Sequence, residues 1–102
     1  MIVVLFRSRL TEAAGDEYVA MDQMLAEKAR NAPGFVDVKS FTAVDGERLT
    51  IVWWKDRETL RQWREDPVHR VAQETGRRLW YRSYDMEVAE VVRDSRFHRE
   101  EA

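Results

Sequence analysis

Two adjacent tryptophans, Trp53 and Trp54, impose the strongest constraint on how this chain can fold. They end the segment ERLTIVWW, whose β-branched and aromatic residues are typical of a strand. Successive side chains of a strand point to opposite faces of its sheet, so the two indole rings must lie on opposite faces. Leaving either ring in water would forfeit several kcal/mol at roughly 25 cal/mol per Å² of apolar area. The sheet therefore needs a cover on both faces.

Four segments carry the patterns of β-strands. The first, Ile2 to Arg9, is β-branched and aromatic, and the second, FVDVKSFTAV, alternates apolar and polar side chains. Asp45-Gly46 supplies a hairpin turn between the second strand and ERLTIVWW, which predicts that these two strands pair in antiparallel fashion. The last strand begins at Trp80 or Tyr81 and ends at Val92.

Two helices are predicted between these strands. The first has Thr11 as its N-cap and ends near Asn31, before a Pro-Gly turn. The second is capped by Asp56 and starts afresh at Asp66-Pro67, where a proline in the first helical position loses no hydrogen bond. We expect the later part of this helix to bury five side chains, which are Val68, Val71, Ala72, Thr75 and Leu79.

The order strand, helix, strand, strand, helix, strand is that of the ferredoxin-like βαββαβ fold. In this α+β fold both helices cover one face of a four-stranded antiparallel sheet. One tryptophan then packs under the helices, and we expect a second copy of the chain to cover the other face, so that two sheets form a dimeric α/β barrel. A cover by the chain's own C-terminal tail is the alternative. The predicted domain comprises residues 1–93, and a charged tail follows at residues 94–102.

Composition narrows the classes of partner and site. Seventeen basic and nineteen acidic side chains leave a formal charge of -2, which gives no general attraction to nucleic acid or to an anionic membrane. The apolar run MIVVLF is far shorter than a membrane span and lacks signal-peptide features, so we expect a cytoplasmic protein. The chain has no cysteine and two histidines. A metal would therefore need carboxylate ligands, and no metal site is predicted.

One region concentrates aromatic and hydrogen-bonding side chains, namely Trp54, Trp63, Asp66, His69 and Gln73. His69 is the candidate general base, because an imidazole titrates near neutral pH. Trp54 and Trp63 are candidates to stack on a ligand, and Gln73 can offer an amide. The structural alternatives are a solvated helix histidine and tryptophans that only fill the core.

In the order and spacing of its motifs the chain resembles the antibiotic biosynthesis monooxygenase superfamily of dimeric α/β-barrel proteins. The resembling residues are Pro33-Gly34-Phe35, the segment WKDRETLRQW, His69, and WYRSY at the start of the last strand. The resemblance extends from the first strand to about Val92. It implies a homodimer with a pocket between sheet and helices in each subunit, and oxidation of a small aromatic or quinol-type molecule by dioxygen without a cofactor. In that scheme a substrate enolate or phenolate gives an electron to dioxygen directly.

Individual positions match the family unevenly. Trp54 matches a pocket tryptophan of the polyketide-oxidising members, whereas Thr50 stands in place of an asparagine, Leu60 of a tyrosine and Gln73 of an arginine. These three departures do not support the substrate class of the polyketide-oxidising members. We expect His69 to be catalytic, and the residues expected to bind substrate are Trp54, Trp63, Gln73 and Thr50.

Two other functions stay open. In the haem-degrading branch of the superfamily, Trp63 matches a tryptophan that presses on the haem, but the axial histidine falls at Gln73 and His69 lies one turn earlier. A haem-binding or haem-degrading monooxygenase is thus the alternative to an enzyme that works without a cofactor. The remaining alternative is a non-catalytic dimeric α/β-barrel protein with a binding or stress-related role, because one fold carries many functions.

Overall fold

Antiparallel pairing of four strands builds a single sheet in the order β2-β3-β1-β4, which confirms the predicted ferredoxin-like fold. The structure is a computed structural model that describes residues 1–100. The strands are β1 (Ile2–Leu10), β2 (Phe35–Thr42), β3 (Arg48–Trp54) and β4 (Tyr81–Glu90). The helices are α1 (Asp16–Arg30), α2 (Arg57–Arg64) and α3 (Pro67–Thr75), and a π-helical turn (Gly76–Trp80) joins α3 to β4. Within residues 1–100, no helix combines the length and the apolar character that crossing a membrane requires.

The two adjacent tryptophans lie on opposite faces of the sheet, as predicted. Trp54 is 1% exposed and packs with Ile2 and Leu60 in the core between sheet and helices. Trp53 stays half-buried on the face that carries no helix. By strand alternation that uncovered face also presents apolar side chains from three other strand positions near its centre, which are Val3, Leu5 and Ile51.

The first helix begins later than predicted. Thr11 does not cap it, because the Thr11 hydroxyl donates to the Leu79 carbonyl at 2.7 Å and the Thr11 backbone N–H donates to the Trp80 carbonyl at 2.7 Å. These two long-range hydrogen bonds tie the end of β1 to the turn before β4, and α1 starts only after Gly15. The predicted Thr11 cap is therefore wrong, and its polar groups serve tertiary structure instead.

The second helical segment breaks where the sequence indicates. The Asp56 carboxylate accepts a hydrogen bond from the Thr59 N–H at 2.9 Å and caps α2. The Asp66 carboxylate accepts hydrogen bonds from the Val68 and His69 N–H groups and caps α3. Pro67 occupies the first turn of α3.

Two of the side chains expected to point inward from this segment are exposed instead. Ala72 is buried, but Val71 is 57% exposed and Leu79 is 44% exposed. The buried positions of the segment, Ala72 and Gly76, are four residues apart, and this spacing turns Val71 outward. After Gly76 the wider π-helical turn changes the register, which moves Leu79 away from the core.

Residues 91–100 form neither helix nor strand. The Val91 N–H donates to the Met1 carbonyl at 3.0 Å, but Val92 and Phe97 are 94% and 79% exposed. Phe97 therefore does not dock on the domain. The last two residues of the predicted tail lie outside the described residues.

Gly34 generates a prediction about stability, because it has a φ of +80° and a Cβ at this position would overlap the Thr59 side chain. Gly34→Ala is expected to lower the free energy of unfolding by about 2 kcal/mol or more, since the overlap adds to a left-handed backbone cost of roughly 1–2 kcal/mol. Gly46→Ala is the matched control, because Gly46 has a φ of +93° with no atom within 4 Å of the added Cβ. Urea unfolding of both variants measures the difference, and equal losses would contradict a role for the Thr59 contact.

Candidate functional site

A cavity of about 670 Å³ lies between the sheet and the helices. Its floor is formed by the helix-facing side chains of β1, β3 and β4, and its roof by α1, α2, α3 and the π-helical turn. All five residues that the sequence suggested as site residues line this cavity, and they are Thr50, Trp54, Trp63, His69 and Gln73.

One end of the cavity is a stack of three rings. The Trp54 and Trp63 ring centroids are 5.9 Å apart with planes inclined by 32°, and the Trp63 and His69 centroids are 4.9 Å apart with planes inclined by 37°. Three different elements supply these rings. Trp54 is the last residue of β3, Trp63 lies on α2, and His69 lies in the first turn of α3, where the Asp66 cap fixes its backbone.

The His69 imidazole lies in an environment that favours its neutral form. Its Nδ1 atom is buried and makes no hydrogen bond. Burial lowers the pKa of His69 from its ordinary value of 6.5, while the Asp66 carboxylate and the Arg64 backbone carbonyl act in the opposite direction without outweighing burial. At neutral pH this histidine can therefore accept a proton.

Thr50 and Gln73 add polar groups to the cavity wall beside the three stacked rings. The Thr50 hydroxyl lies 3.0 Å from the Ser40 hydroxyl, and either group can donate to the other. Gln73 is one helical turn beyond His69 on α3, so the two side chains share a face of that helix.

The opposite end of the cavity carries a polar cluster that was not predicted from the sequence, formed by Tyr18, Arg48 and Tyr81. Arg48 Nη1 donates to the Tyr18 hydroxyl at 2.8 Å, and the guanidinium carbon lies 5.6 Å from the centre of the Tyr18 ring. The Tyr18 and Tyr81 ring centroids are 6.1 Å apart. Strand alternation could have indicated Arg48, because it shares the helix-facing side of β3 with Thr50.

The pKa of the Tyr81 hydroxyl lies well above the ordinary value for a tyrosine. Burial, reinforced by the neighbouring Tyr18, raises the pKa of Tyr81, so its hydroxyl remains a hydrogen-bond donor. Its ring lies against buried Gly76, and a Cβ at that glycine would stand 2.5 Å from the Tyr81 Cε2 atom. The absence of a side chain at Gly76 therefore leaves the space that the Tyr81 ring occupies.

The residues present do not fit the haem site that the resemblance offers as an alternative. The axial position of the haem-degrading branch is Gln73, whose amide is a poor ligand for haem iron, and His69 lies one helical turn earlier on α3. Among residues 1–100, no three His, Cys, Asp or Glu side chains come together as a metal site would require.

Comparison with known sequences gives a family match. The sequence model of the family "antibiotic biosynthesis monooxygenase" matches residues 1–75. The chain is 35% identical over 75 residues to the uncharacterized protein YqjZ of Bacillus subtilis, a match that covers 74% of this chain and 66% of that protein. It is 28% identical over 94 residues to the jasmonate monooxygenase ABM of Pyricularia oryzae, which covers 90% of this chain and 44% of that protein. The chain thus spans less than two thirds of either relative.

Comparison with solved structures supports the same fold. Rv0793 from Mycobacterium tuberculosis superposes with a TM-score of 0.80 at 17% identity, covering 93% of this chain and 98% of that one. SnoaB from Streptomyces nogalater, described as a cofactor-independent oxygenase, superposes with a TM-score of 0.75 at 17% identity, covering 91% of this chain and 94% of that one. Identities this low establish a shared fold and leave chemistry to be argued from the cavity.

The environment of His69 predicts how it titrates. In a His98→Gln variant the only imidazole left is that of His69, and NMR titration of its ring protons is expected to give a pKa below 6.5, because burial disfavours the charged ring. The unfolded chain then binds more protons than the folded one just below pH 6.5, so the free energy of unfolding should fall as the pH drops through this range. A His69 pKa above 6.5 would show that the ring is hydrated or paired with an acid instead.

Proposed function

This chain belongs to the antibiotic biosynthesis monooxygenase family, and from that premise we propose that it is a cofactor-independent monooxygenase that oxidises a small aromatic or quinol-type molecule with dioxygen. The observation that carries the proposal is the stack of Trp54, Trp63 and His69 at one end of the cavity. The names of two similar proteins, a cofactor-independent oxygenase and a jasmonate monooxygenase, support oxidation as the reaction type.

His69 acts as the general base in this proposal. Its lowered pKa leaves the imidazole neutral at pH 7, so it can take a proton from an acidic carbon or a hydroxyl of the bound substrate. Trp63 stacks on the substrate ring and excludes water from it, and Trp54, which is 1% exposed, supports the Trp63 ring from the core. Thr50 and Gln73 hydrogen-bond to the substrate oxygens and hold the reacting carbon near the base.

The atoms and electrons balance without a cofactor when the substrate carries an activated methylene group. The carbanion left by proton transfer gives one electron to dioxygen, and the resulting carbon radical and superoxide combine to form a carbon–oxygen bond. The imidazolium of His69 returns its proton to the peroxide, and loss of water leaves a carbonyl group. One oxygen atom enters the substrate and the other leaves as water, and the substrate itself supplies every electron.

Oxygen uptake with a panel of anthrones and quinols tests the reaction and the base together. His69→Gln is expected to lower kcat by about a hundredfold or more, because general-base catalysis typically contributes at least that factor. His98→Gln is the matched control, since His98 is exposed in the segment after β4 and should leave turnover unchanged. A His69→Gln protein with full turnover would remove His69 from the mechanism. Ligand binding without oxygen uptake by any compound would favour the non-catalytic binding protein instead.

We also propose that the protein is a homodimer in which a second copy covers the face of the sheet that carries no helix. That face bears half-buried Trp53 together with Val3, Leu5 and Ile51, and burying these side chains stabilises a pair of stacked sheets. Membership of a family known for dimeric α/β barrels supports this arrangement.

Light scattering tests the assembly. The wild-type protein is expected at about twice its chain mass of 12.1 kDa. Ile51→Lys should shift it to the mass of one chain, because a charge would then lie in the centre of the apolar interface. Val71→Lys is the control, since Val71 is 57% exposed on α3, away from the sheet, and its substitution should keep the dimer. A wild-type protein with the mass of one chain would refute the proposed dimer.

A further inference from the structure

The two ends of the cavity differ in chemistry and are far enough apart to hold two parts of one ligand. Trp54 and Arg48 are the last and first residues of β3. At roughly 3.3 Å per residue, their Cα atoms are about 20 Å apart. Between them the helix-facing side of the sheet is mainly apolar, with Val4, Phe6 and Val52 lining the cavity. A ligand that reaches both ends must therefore be elongated and largely apolar.

Arg48 has unused hydrogen-bonding capacity at its end of the cavity. One of its five N–H groups donates to the Tyr18 hydroxyl. Within residues 1–100 no carboxylate oxygen lies within 4.0 Å of its guanidinium, although other arginines of the chain form such pairs. Arg61, which also lines the cavity, donates to Glu58 on α2 and to Glu65, the residue that follows this helix. Arg48 is half-buried beside aromatic rings, where a charge-assisted hydrogen bond is stronger than in water.

Two phenol groups add donors beside this guanidinium. The Tyr18 oxygen accepts from Arg48, so the Tyr18 proton is free to point to a ligand. The Tyr81 hydroxyl stays protonated and lines the same end of the cavity, where its proton is directed at Tyr18, so the donors free for a ligand are those of Arg48 and Tyr18. Together these side chains offer several donors and only weak acceptors, an arrangement that suits an anionic oxygen ligand.

The charged residues that line the cavity also favour an anionic ligand. Five arginines line it, while the acidic residues that line it are Asp22 and Glu65. Glu65 is paired with Arg61. Asp22 lies one helical turn beyond Tyr18 and is exposed, and its charge contributes to the raised pKa of Tyr81, so among residues 1–100 it is the one lining carboxylate without a cation partner that opposes an anion at this end. A chain with a formal charge of -2 thus concentrates positive charge at its cavity.

We propose that the cluster of Arg48, Tyr18 and Tyr81 binds a carboxylate of the substrate, so that the protein acts on an elongated aromatic acid whose reactive ring lies against Trp63 and His69. This inference rests on the proposed function and specifies its substrate class. One guanidinium flanked by two phenols matches a planar monoanion, because a guanidinium meets a carboxylate with two parallel hydrogen bonds. Arg48 is the arginine that hydrogen-bonds within this cluster, and its single charge would neutralise a phosphate dianion only in part.

Direct binding tests the carboxylate site without any turnover. Naphthoate and its neutral analogue naphthamide are titrated into the protein under anaerobic conditions, with tryptophan fluorescence or calorimetry as the readout. The wild-type protein should bind naphthoate about tenfold or more tighter than naphthamide, since a hydrogen bond to a charged group contributes that much. Equal affinity for the two compounds in the wild-type protein would overturn the proposal.

Variants assign the preference to its residues. Arg48→Gln should abolish the preference for naphthoate while naphthamide still binds, which shows that the protein remains folded. Tyr18→Phe keeps the ring and removes the hydroxyl that orients Arg48, so it should reduce the preference partly. Arg30→Gln, an exposed position on α1 that does not line the cavity, is the matched control and should bind like the wild type. A preference that survives both Arg48→Gln and Tyr18→Phe would place the carboxylate elsewhere.

Oxygen uptake with a quinol acid and its methyl ester separates this inference from the proposed function. A higher kcat/KM for the acid that disappears in Arg48→Gln supports both. Oxidation of acid and ester at equal rates by the wild-type protein would refute the carboxylate site and leave the monooxygenase intact. An Arg48-dependent preference for naphthoate without oxygen uptake from any compound would refute the monooxygenase and leave the carboxylate site intact.

Discussion

Burial of the Trp54 indole is the interaction on which the rest of the site depends. The ring ends the central strand β3 and contacts Ile2 and Leu60, and the Phe35 ring meets it edge-on at a centroid distance of 5.9 Å. It thereby joins the sheet to α2 within three residues of the strand end, because Asp56 caps the helix immediately. The Trp63 ring packs on Trp54, and the His69 ring packs on Trp63. The position of the candidate base is thus a consequence of core packing at the end of one strand.

A neutral base and a cationic cluster occupy the same cavity without conflict because they are separated along β3. Burial lowers the pKa of His69 and favours its neutral form at one end, whereas the half-buried Arg48 guanidinium donates to Tyr18 at the other. The mainly apolar wall between them lowers the dielectric constant that a ligand experiences, which strengthens polar contacts at both ends. A long substrate would be oriented by its charge and deprotonated at the distant end, so that recognition and chemistry depend on different residues.

Local patterns predicted most of the fold, and long-range contacts account for what they missed. The caps Asp56 and Asp66 and the turn at Gly34 depend on neighbours a few residues away, and their positions were confirmed. Thr11 was misassigned because its hydrogen-bond partner Leu79 lies 68 residues later in the sequence, just before β4. The grouping of Trp54, Trp63 and His69, by contrast, could be foreseen, because these residues lie on three consecutive elements of the chain. Strand alternation places Arg48 on the helix-facing side of β3, but its contact with Tyr18 and Tyr81 could not be foreseen, since α1, β3 and β4 meet there only after the sheet has formed.

The π-helical turn before β4 begins at Gly76, a position where an added side chain would displace a residue of the cavity wall. Gly76 is buried, and the Tyr81 ring occupies the space that a side chain at this position would need. Turns of this type often occur beside functional sites, where they shift the residues that follow them. A methyl group at Gly76 would have to displace the phenol ring, because the added Cβ would lie 2.5 Å from the Tyr81 Cε2 atom. Tyr81 lines the cavity and Gly76 does not, so a change at this glycine would reshape the cavity from outside its wall.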